Sequence, residues 1–412
     1  ALGRLREEHN WFYNELYGTP LARRSAGRSD PAREERLREA VRDREKQIAR
    51  LLERLALDRT DGLELVSPPG AGTGPAWPSL AAGTALLEYY FGTDASAVFV
   101  VRGEQLVVVP LAVRADEIRA ALSAWHSNLG ATAQAVAAGA PLDGYGRHAR
   151  RVLSALYRAL VAPVETHVAG CDRLVVVPYG PAHAVPFHAL FDGETYLLER
   201  TEVVVCPSSH LLRLCTERAR RTAPTALVLA HTDGGRLRGA LLEAEAVAGL
   251  LGGECYLEDK ATRAALTAAA PRHGVVHLAA HGEARLDNPA FAHLKLADGQ
   301  LSMTDVFNLD LRGALVTLSA CETGRSVVAA GDELIGLSRG FLYAGATTLV
   351  QSLWRVEDAS TAQLMERFYH ALRAGRTKGA ALRDAQRALL ARHPDHPYCW
   401  APFQLIGHWG TL

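Results

Sequence analysis

A histidine and a cysteine, each placed where an apolar run ends, are the residues of this chain whose types and positions suggest chemistry. His281 ends the run GVVHLAAH and precedes Gly282, and Cys321 directly follows the run GALVTLSA. Short apolar runs rich in β-branched residues are typical of buried strands, and parallel strands present their carboxyl ends at one edge of a sheet. The sequence therefore predicts that His281 and Cys321 lie side by side, although their positions differ by 40.

A thiol paired with an imidazole is the arrangement that nucleophilic catalysis by cysteine requires. A thiolate is the effective nucleophile, and a neighbouring imidazole favours that thiolate or protonates the leaving amine. Gly282 has no Cβ, so its backbone can approach a substrate closely. The backbone N–H groups of Gly282 and Cys321 are predicted to form an oxyanion hole, a pair of donors for the negative oxygen of a tetrahedral intermediate.

The composition describes a globular chain without an excess of either charge. Its 412 residues are 48% apolar and 22% charged, enough to bury one large core or two moderate ones. Lys plus Arg and Asp plus Glu both number 45, so no net field draws the molecule to nucleic acid or to an anionic membrane. No apolar run approaches the roughly 18 residues of a spanning helix, and the first residues do not resemble a signal peptide. A cytoplasmic location is predicted; because residue 1 is Ala rather than Met, it is open whether residues precede it.

Neither the cysteines nor the histidines have the spacing of a disulfide framework or a metal site. The six cysteines are scattered, without a CxxC pair, at positions 171, 206, 215, 255, 321 and 399. His273, His277 and His281 are spaced by four, which on a helix would place them on one face as zinc ligands, but the valines between them favour a strand and there is no HExxH motif. We therefore predict no metal and no cofactor, and a position in the core for His277.

The order of patterns along the chain predicts four regions. Residues 1–60 are a helical N-terminal segment, because 31–57 combine charged and apolar residues at helical spacing; it is either a helical pair or the end of a repeat array. Residues 61–83 are rich in Pro and Gly and are predicted to be a linker. Residues 84–222 carry strand and helix signals without a paired nucleophile and base. Residues 223–412 alternate strand and helix, which is typical of a parallel sheet covered by helices.

Five ordered motifs make the chain from about residue 84 to its end resemble a known family: HLAAHG, LSACETG, GLSRGFLYAGATTLVQSLWRVED, FYHAL and HPYCWAPFQLIG. They resemble the CHAT domain, a branch of the caspase-like clan of peptidases that also includes caspases, metacaspases, gingipains and separases. CHAT domains are often fused to tetratricopeptide repeats. The resemblance implies an α/β fold, in which a caspase-like parallel sheet flanked by helices at 223–412 is preceded by a non-catalytic, pseudo-caspase-like half at 84–222.

The resemblance also implies roles for single residues at the two strand ends. His281 is implied as the general base or acid, Cys321 as the nucleophile and Gly282 as an oxyanion contributor. The plain alternative for Cys321 is a buried structural thiol, because free cysteines are among the most buried residues.

A substrate pocket is implied with less specific motifs. The implied substrate-binding residues are Ser319, Glu357 and Asp358. Ser319 stands two positions before the predicted nucleophile, and the two acidic residues follow the strand TTLVQSLW. A carboxylate near the scissile bond favours a basic residue before the cut. The alternatives are a neutral apolar residue there, and a role for Asp358 as a helix cap.

As a function, the resemblance implies a cysteine endopeptidase that cleaves a protein partner through a Cys–His dyad. CHAT peptidases are often switched on by a protein or ligand activator, and they commonly act in bacterial defence, including antiviral defence, or in programmed cell death. Two alternatives remain open from the residues themselves: a catalytically degenerate scaffold that only binds partners, and another thiol hydrolase or acyltransferase using the same pair.

Overall fold

The structure, a computed structural model, describes residues 2–17, 31–58, 79–219, 225–237, 239–283, 292–319, 337–338, 340–354 and 358–412. The chain divides into two compact units, Ala1–Thr73 and Gly74–Leu412, which are described separately. Most of the predicted linker at 61–83 lies outside the described residues.

The first unit consists, in its described part, of two helices: α1 (Leu2–Tyr17) and α2 (Pro31–Asp58). They run antiparallel, because Glu8 of α1 contacts Arg44 of α2 whereas Glu15 contacts Arg33. The helix predicted over 31–57 is confirmed. Val41 and Ile48, seven positions apart on one face of α2, are buried where the helix packs against α1.

The second unit is built on a 13-stranded mixed sheet. The strands in chain order are β1 (Thr84–Phe91), β2 (Ser96–Arg102), β3 (Gln105–Leu111), β4 (Arg173–Val177), β5 (Glu202–Val205), β6 (Ala226–His231), β7 (Gly253–Leu257), β8 (Val275–Glu283), β9 (His293–Leu296), β10 (Gly299–Ser302), β11 (Leu315–Leu318), β12 (Thr348–Ser352) and β13 (Phe403–Gly407).

The strand order explains which pairs are parallel. Strands β7, β6, β8, β11 and β12 are consecutive neighbours and all parallel, as are β13, β5, β4 and β1. Helical crossovers connect most of them, and parallel neighbours need such long connections. Strands β2 and β3, and the hairpin β9–β10, follow short turns and pair antiparallel; β13 also runs antiparallel to β12. The predicted α/β fold with a mainly parallel sheet is confirmed, with these antiparallel additions.

Helices lie on the sheet where the alternating pattern predicts them. In the second unit the α-helices are α3 (Ala115–Ala137), α4 (Asp143–Leu160), α5 (Glu165–Val168), α6 (Leu197–Arg200), α7 (Ser209–Arg218), α8 (Gly239–Leu251), α9 (Arg263–Ala269), α10 (Met303–Val306), α11 (Asp358–Arg373) and α12 (Lys378–Leu390). Short 3₁₀ turns occupy Ala162–Val164, Gly180–Ala184, Phe187–Ala189, Glu258–Lys260 and Ala270–Arg272. No helix in the described ranges combines the length and apolar character that crossing a bilayer needs.

One hydrophobic core extends through the second unit. It includes side chains of the strands and of the segments between them, from β1 to β13 along the chain. Among the latter are the fully buried Trp125, Phe187, Tyr369 and Trp400. The indole rings of Trp125 on α3 and Trp354 after β12 meet edge to face, with centroids 5.5 Å apart. The sheet is also continuous, because β13 lies between β12 and β5. The division into halves at 84–222 and 223–412 stays a prediction.

Two buried histidines make the fold sensitive to acid. Burial lowers the pKa of His188, whose ring contacts the Ala401 carbonyl at 2.8 Å, to about 4, and lowers that of His396 likewise to about 4. A histidine held neutral by burial stabilises the fold fully above its ordinary pKa of about 6.5. That contribution is lost as the pH falls from about 6.5 towards 4.

We predict that each of these histidines costs about 2 kcal/mol of stability at about pH 5 relative to neutral pH. Thermal unfolding of wild type and His188→Gln at both pH values measures this cost. The unfolding temperature of the variant should fall less on acidification. His370→Gln, which removes an exposed imidazole, is the control and should behave as wild type does. Equal acid sensitivity of wild type and His188→Gln would contradict the prediction.

Candidate active site

The candidate site lies at the carboxyl edge of the sheet, where β8 and β11 end. The two strands are parallel neighbours, with partners from Leu315 opposite Val275 to Leu318 opposite Leu278. The ladder continues one residue beyond β11, because the Ser319 amide donates to the Leu278 carbonyl at 2.9 Å. This is the neighbouring placement that the sequence predicts for the two apolar runs.

His281 and Gly282 lie in the last part of β8, beyond its pairing with β11. Here β8 pairs antiparallel with β9, so that His281 is opposite Lys295 and Gly282 is opposite Leu294. His281 is partly exposed and Gly282 is buried. The oxyanion role of Gly282 stays a prediction.

The other predicted site residues are placed unequally. Cys321 and Glu357 lie outside the described residues. Asp358 is the first residue of α11. Ser319 is buried, and its hydroxyl donates to Glu243 Oε2 on α8 at 3.0 Å. A contact from Ser319 to substrate stays a prediction.

Asp233, in the turn after β6, is a charged group near His281 that the sequence reasoning missed. Its side chain is buried and makes ion pairs with Lys295 Nζ and, at 3.2 Å, with Arg236. Burial by itself raises the pKa of Asp233. The hydrogen bond and charge of Lys295, followed by the charges of Arg236 and His281, outweigh burial and hold that pKa below its ordinary value. The signal in the sequence is a carboxylate two residues after a buried strand, in the segment HTDGG, whose composition is that of an ordinary turn.

Backbone strain is concentrated at the same edge of the sheet. Among the described residues, Asp233 and Glu258 are the non-glycine residues with positive φ, at 51° and 47°. They follow β6 and β7, and Thr232 joins the two turns by donating its amide and its hydroxyl to the Glu258 carboxylate, at 3.1 and 2.5 Å. Left-handed backbone at non-glycine residues is uncommon and tends to occur at functional sites.

The three histidines with spacing of four do not share a site. His277 is completely buried in β8, as predicted for a core histidine, and contacts Tyr369 and Glu243. His273 precedes the strand, and its ring contacts the Ala269 carbonyl at 3.0 Å. Within the part of the chain that the structure describes, no three His, Cys, Asp or Glu side chains are grouped as a metal ion requires.

The CHAT domain matches residues 150–408 of this chain, which is more than half of it. The chain belongs to the CHAT-domain family. Tetratricopeptide repeat protein 28 of Homo sapiens and that of Mus musculus are each 29% identical to it over 326 residues, a match that covers 63% of this chain and 13% of each relative. The CHAT-domain chain thus spans about one-eighth of the length of these relatives.

Its fold is similar to that of a separase. A chain of the crystallised separase–securin complex of Saccharomyces cerevisiae superimposes with a TM-score of 0.56 over 79% of this chain and 30% of that chain. The sequence identity is 9%, so the similarity concerns the fold. The predicted caspase-like and separase-like architecture of the CHAT-domain protein is confirmed.

We predict that Lys295→Met destabilises the protein by about 1–2 kcal/mol at neutral pH, because it leaves the buried Asp233 carboxylate without this cation. Since the pKa of Asp233 is lowered in the fold, the contribution of the pair is complete above the ordinary carboxyl pKa of about 3.9 and is lost as the pH falls through the lower folded value.

The measurement is chemical unfolding of the two proteins at several pH values. Arg236→Met is the matched control, because Arg236 contacts the same carboxylate from a side chain that is 60% exposed and should contribute less. A loss in Lys295→Met no greater than in Arg236→Met would refute the assignment.

Proposed function

We propose that this CHAT-domain protein is a cysteine endopeptidase in which Cys321 is the nucleophile and His281 the general base and acid. The parallel register of β8 and β11 is the observation that carries this proposal. Every described pair in that register, from Val275 with Leu315 to Leu278 with Leu318, differs by 40 positions. His281 and Cys321 also differ by 40.

The same register predicts which face of the sheet the two side chains share. Side chains alternate between faces along a strand, so His281 belongs to the face of His277. Paired residues of adjacent strands point to the same side, and His277 is paired with Thr317, which has the same parity as Cys321. Continuing the ladder would place the two side chains on one face of neighbouring strands, whose backbones lie about 4.8 Å apart across the sheet. This separation suits a thiol and an imidazole that exchange a proton.

The proposed reaction is acyl transfer through a thioester. The Cys321 thiolate attacks the scissile carbonyl carbon, and the N–H groups of Gly282 and Cys321 bind the oxygen that becomes negative. The peptide C–N bond then breaks, and the His281 imidazolium gives its proton to the leaving amine. Water, deprotonated by His281, hydrolyses the thioester and restores the thiol.

Asp233 supports His281 in this proposal by its charge. The two groups interact electrostatically, and the carboxylate remains ionised because Lys295 holds its pKa low. A negative charge at that place stabilises the positive charge that the imidazole carries while it holds the proton.

For the substrate, we propose a protein with a basic residue before the cut. Glu357 and Asp358 are the carboxylates that would bind it, since they follow β12, the neighbour of β11. We also propose control by a protein or ligand activator. The separase to which the fold is similar was crystallised with securin, and that neighbour therefore binds a protein partner. A role in defence or programmed cell death is proposed from the family resemblance.

A disulfide trap tests the pairing without a substrate. We predict that His281→Cys forms a disulfide with Cys321 under mild oxidation, because neighbouring Cα atoms of paired strands lie within the 4.4–6.8 Å that a disulfide spans. Peptide mapping by mass spectrometry measures the crosslink. Ala280→Cys, one residue earlier and on the opposite face of β8, is the control and should not crosslink to Cys321. Equal crosslinking of both variants would disprove the register.

Fluorogenic peptides that vary only the residue before the cut test the activity and its specificity. We predict cleavage after Arg or Lys at least about tenfold faster than after Leu, which is the rate equivalent of about 1.4 kcal/mol. Cys321→Ala and His281→Ala should each abolish cleavage, and EDTA should not affect it. Undiminished cleavage by Cys321→Ala would contradict the mechanism, and faster cleavage after Leu would contradict the basic pocket.

A further inference from the structure

A chain of buried polar side chains lies beneath the end of β11, on the face assigned to the proposed dyad. Glu243 of α8 is 4% exposed, His277 and Thr317 of the sheet and Tyr369 of α11 are completely buried, and Ser319 is 9% exposed. They form the series Ser319, Glu243, His277, Tyr369 and Thr317, in which each side chain has a polar contact to the next. Four elements of the fold, two strands and two helices, therefore meet through polar groups where apolar packing would be ordinary.

The contacts have a direction. The Tyr369 hydroxyl donates to Thr317 Oγ1 at 2.7 Å, and it therefore accepts from His277 Nδ1, 3.0 Å away. Burial raises the pKa of Tyr369, the hydrogen bond to Thr317 lowers it in part, and the charge of Glu243 raises it further, so the hydroxyl keeps its proton. At the other end of the ring, His277 Nε2 lies 3.1 Å from Glu243 Oε1, close but without the alignment of a hydrogen bond.

The second oxygen of Glu243 reaches the end of β11. Oε2 accepts the Ser319 hydroxyl at 3.0 Å, while the Ser319 amide donates to Leu278 of β8. Ser319 is thus held twice, by its backbone in the ladder and by its side chain from the helix. It is the last described residue before 320–336 and stands two positions before Cys321.

A carboxylate in such surroundings is costly to bury. Removing an ionised group from water costs several kcal/mol unless close partners compensate, and apolar residues of similar volume often stabilise a core as well or better. A buried carboxylate at position 243 is therefore not expected to stabilise the fold more than an apolar residue would. A need to hold Ser319 in place at the end of β11 would explain why a carboxylate occupies this position.

We infer that Glu243 is a positioning residue: it holds Ser319 through the hydroxyl hydrogen bond and thereby sets the distance from Cys321 to His281. This inference rests on the proposed function. It gives the Ser319 hydroxyl a structural partner in place of the substrate. Charge-assisted hydrogen bonds are about twice as strong as neutral ones, so a carboxylate is a better anchor than an amide here.

The pH profile of Cys321 alkylation tests the inference without a substrate. Iodoacetamide reacts with the thiolate, and mass spectrometry of the peptide that contains Cys321 gives its rate separately from the other cysteines. In wild type, the pairing with His281 should maintain fast alkylation at about pH 6, and His281→Ala should lose it. Ser319→Ala should slow alkylation at this pH by about tenfold and move the midpoint of the profile upward, towards the value near 8.5 of a free thiol.

Glu243→Gln has the same shape but a neutral acceptor, so we expect a smaller slowing than in Ser319→Ala. The double variant should be no slower than Ser319→Ala alone, because both changes act through one contact. Thr132→Val is the control, since Thr132 of α3 has a completely buried hydroxyl that is hydrogen-bonded to the Asn128 carbonyl and contacts the His396 ring. It should leave the profile unchanged even if the protein unfolds more easily.

The outcomes separate the two proposals. If wild type and His281→Ala both show the profile of a free thiol, the dyad and the positioning role fail together. If wild type shows the fast reaction at low pH and Ser319→Ala and Glu243→Gln retain it, only the positioning role of Glu243 fails. Effects of Ser319→Ala and Glu243→Gln that simply multiply in the double variant would also overturn it, because Glu243 would then act by another route.

Discussion

Strand β8 pairs in parallel with β11, and the position of every group at the candidate site depends on the register of that pair. The register is strongly specified because both strands are buried on both faces: Val276, Leu278 and Ala279 of β8 are inaccessible to solvent, and so are Val316 and Thr317 of β11. A slip by one residue would exchange the faces of a strand and drive His277 away from Tyr369 and Glu243. Apolar burial on both sides thus determines where a polar site is assembled. The placement of His281 and Ser319 at this edge thus follows from the packing of apolar side chains in the middle of the sheet.

Two buried carboxylates border this edge, and each is compensated in a different way. Asp233 forms ion pairs with Lys295 and Arg236, whose side chains are more exposed than its own, and Lys295 comes from β9, the strand that pairs with the end of β8. Glu243 is less exposed than Asp233: one of its oxygens accepts the Ser319 hydroxyl, and the other lies 3.1 Å from the His277 ring. The ion pairs of Asp233 act through charge, and solvent screens them in part. The contacts of Glu243 fix positions, because strand residues have little freedom to move.

The sequence predicts the parts of this structure that follow from local periodicity. The helix predicted over 31–57 is observed as Pro31–Asp58, and the run GVVHLAAH makes up most of β8, which continues to Glu283. The alternation after residue 223 predicts the parallel neighbours of β8. Glu243 could not be found this way: in LLEAEAVAGLL it resembles its exposed neighbour Glu245, and only the packing of α8 against β8 and α11 shows which of the two is buried. The same holds for Asp233, whose partner Lys295 lies 62 positions away in the β9–β10 hairpin. Long-range polar contacts leave no periodic trace.

Helix α11 connects the predicted substrate pocket with the buried polar chain. It begins at Asp358, one of the two acidic residues that follow β12, and carries Tyr369 three turns later. At 1.5 Å per residue, the two positions are about 16 Å apart along one rigid rod. A displacement of this helix would alter the contact of Tyr369 with His277 and Thr317, and through His277 the surroundings of Glu243 and Ser319. Packed cores accommodate shifts in discrete steps rather than gradually. A displacement of the first residues of α11 would therefore alter the contacts at the end of β11. In the proposed enzyme, α11 would thus connect substrate binding near Asp358 with the alignment of Cys321.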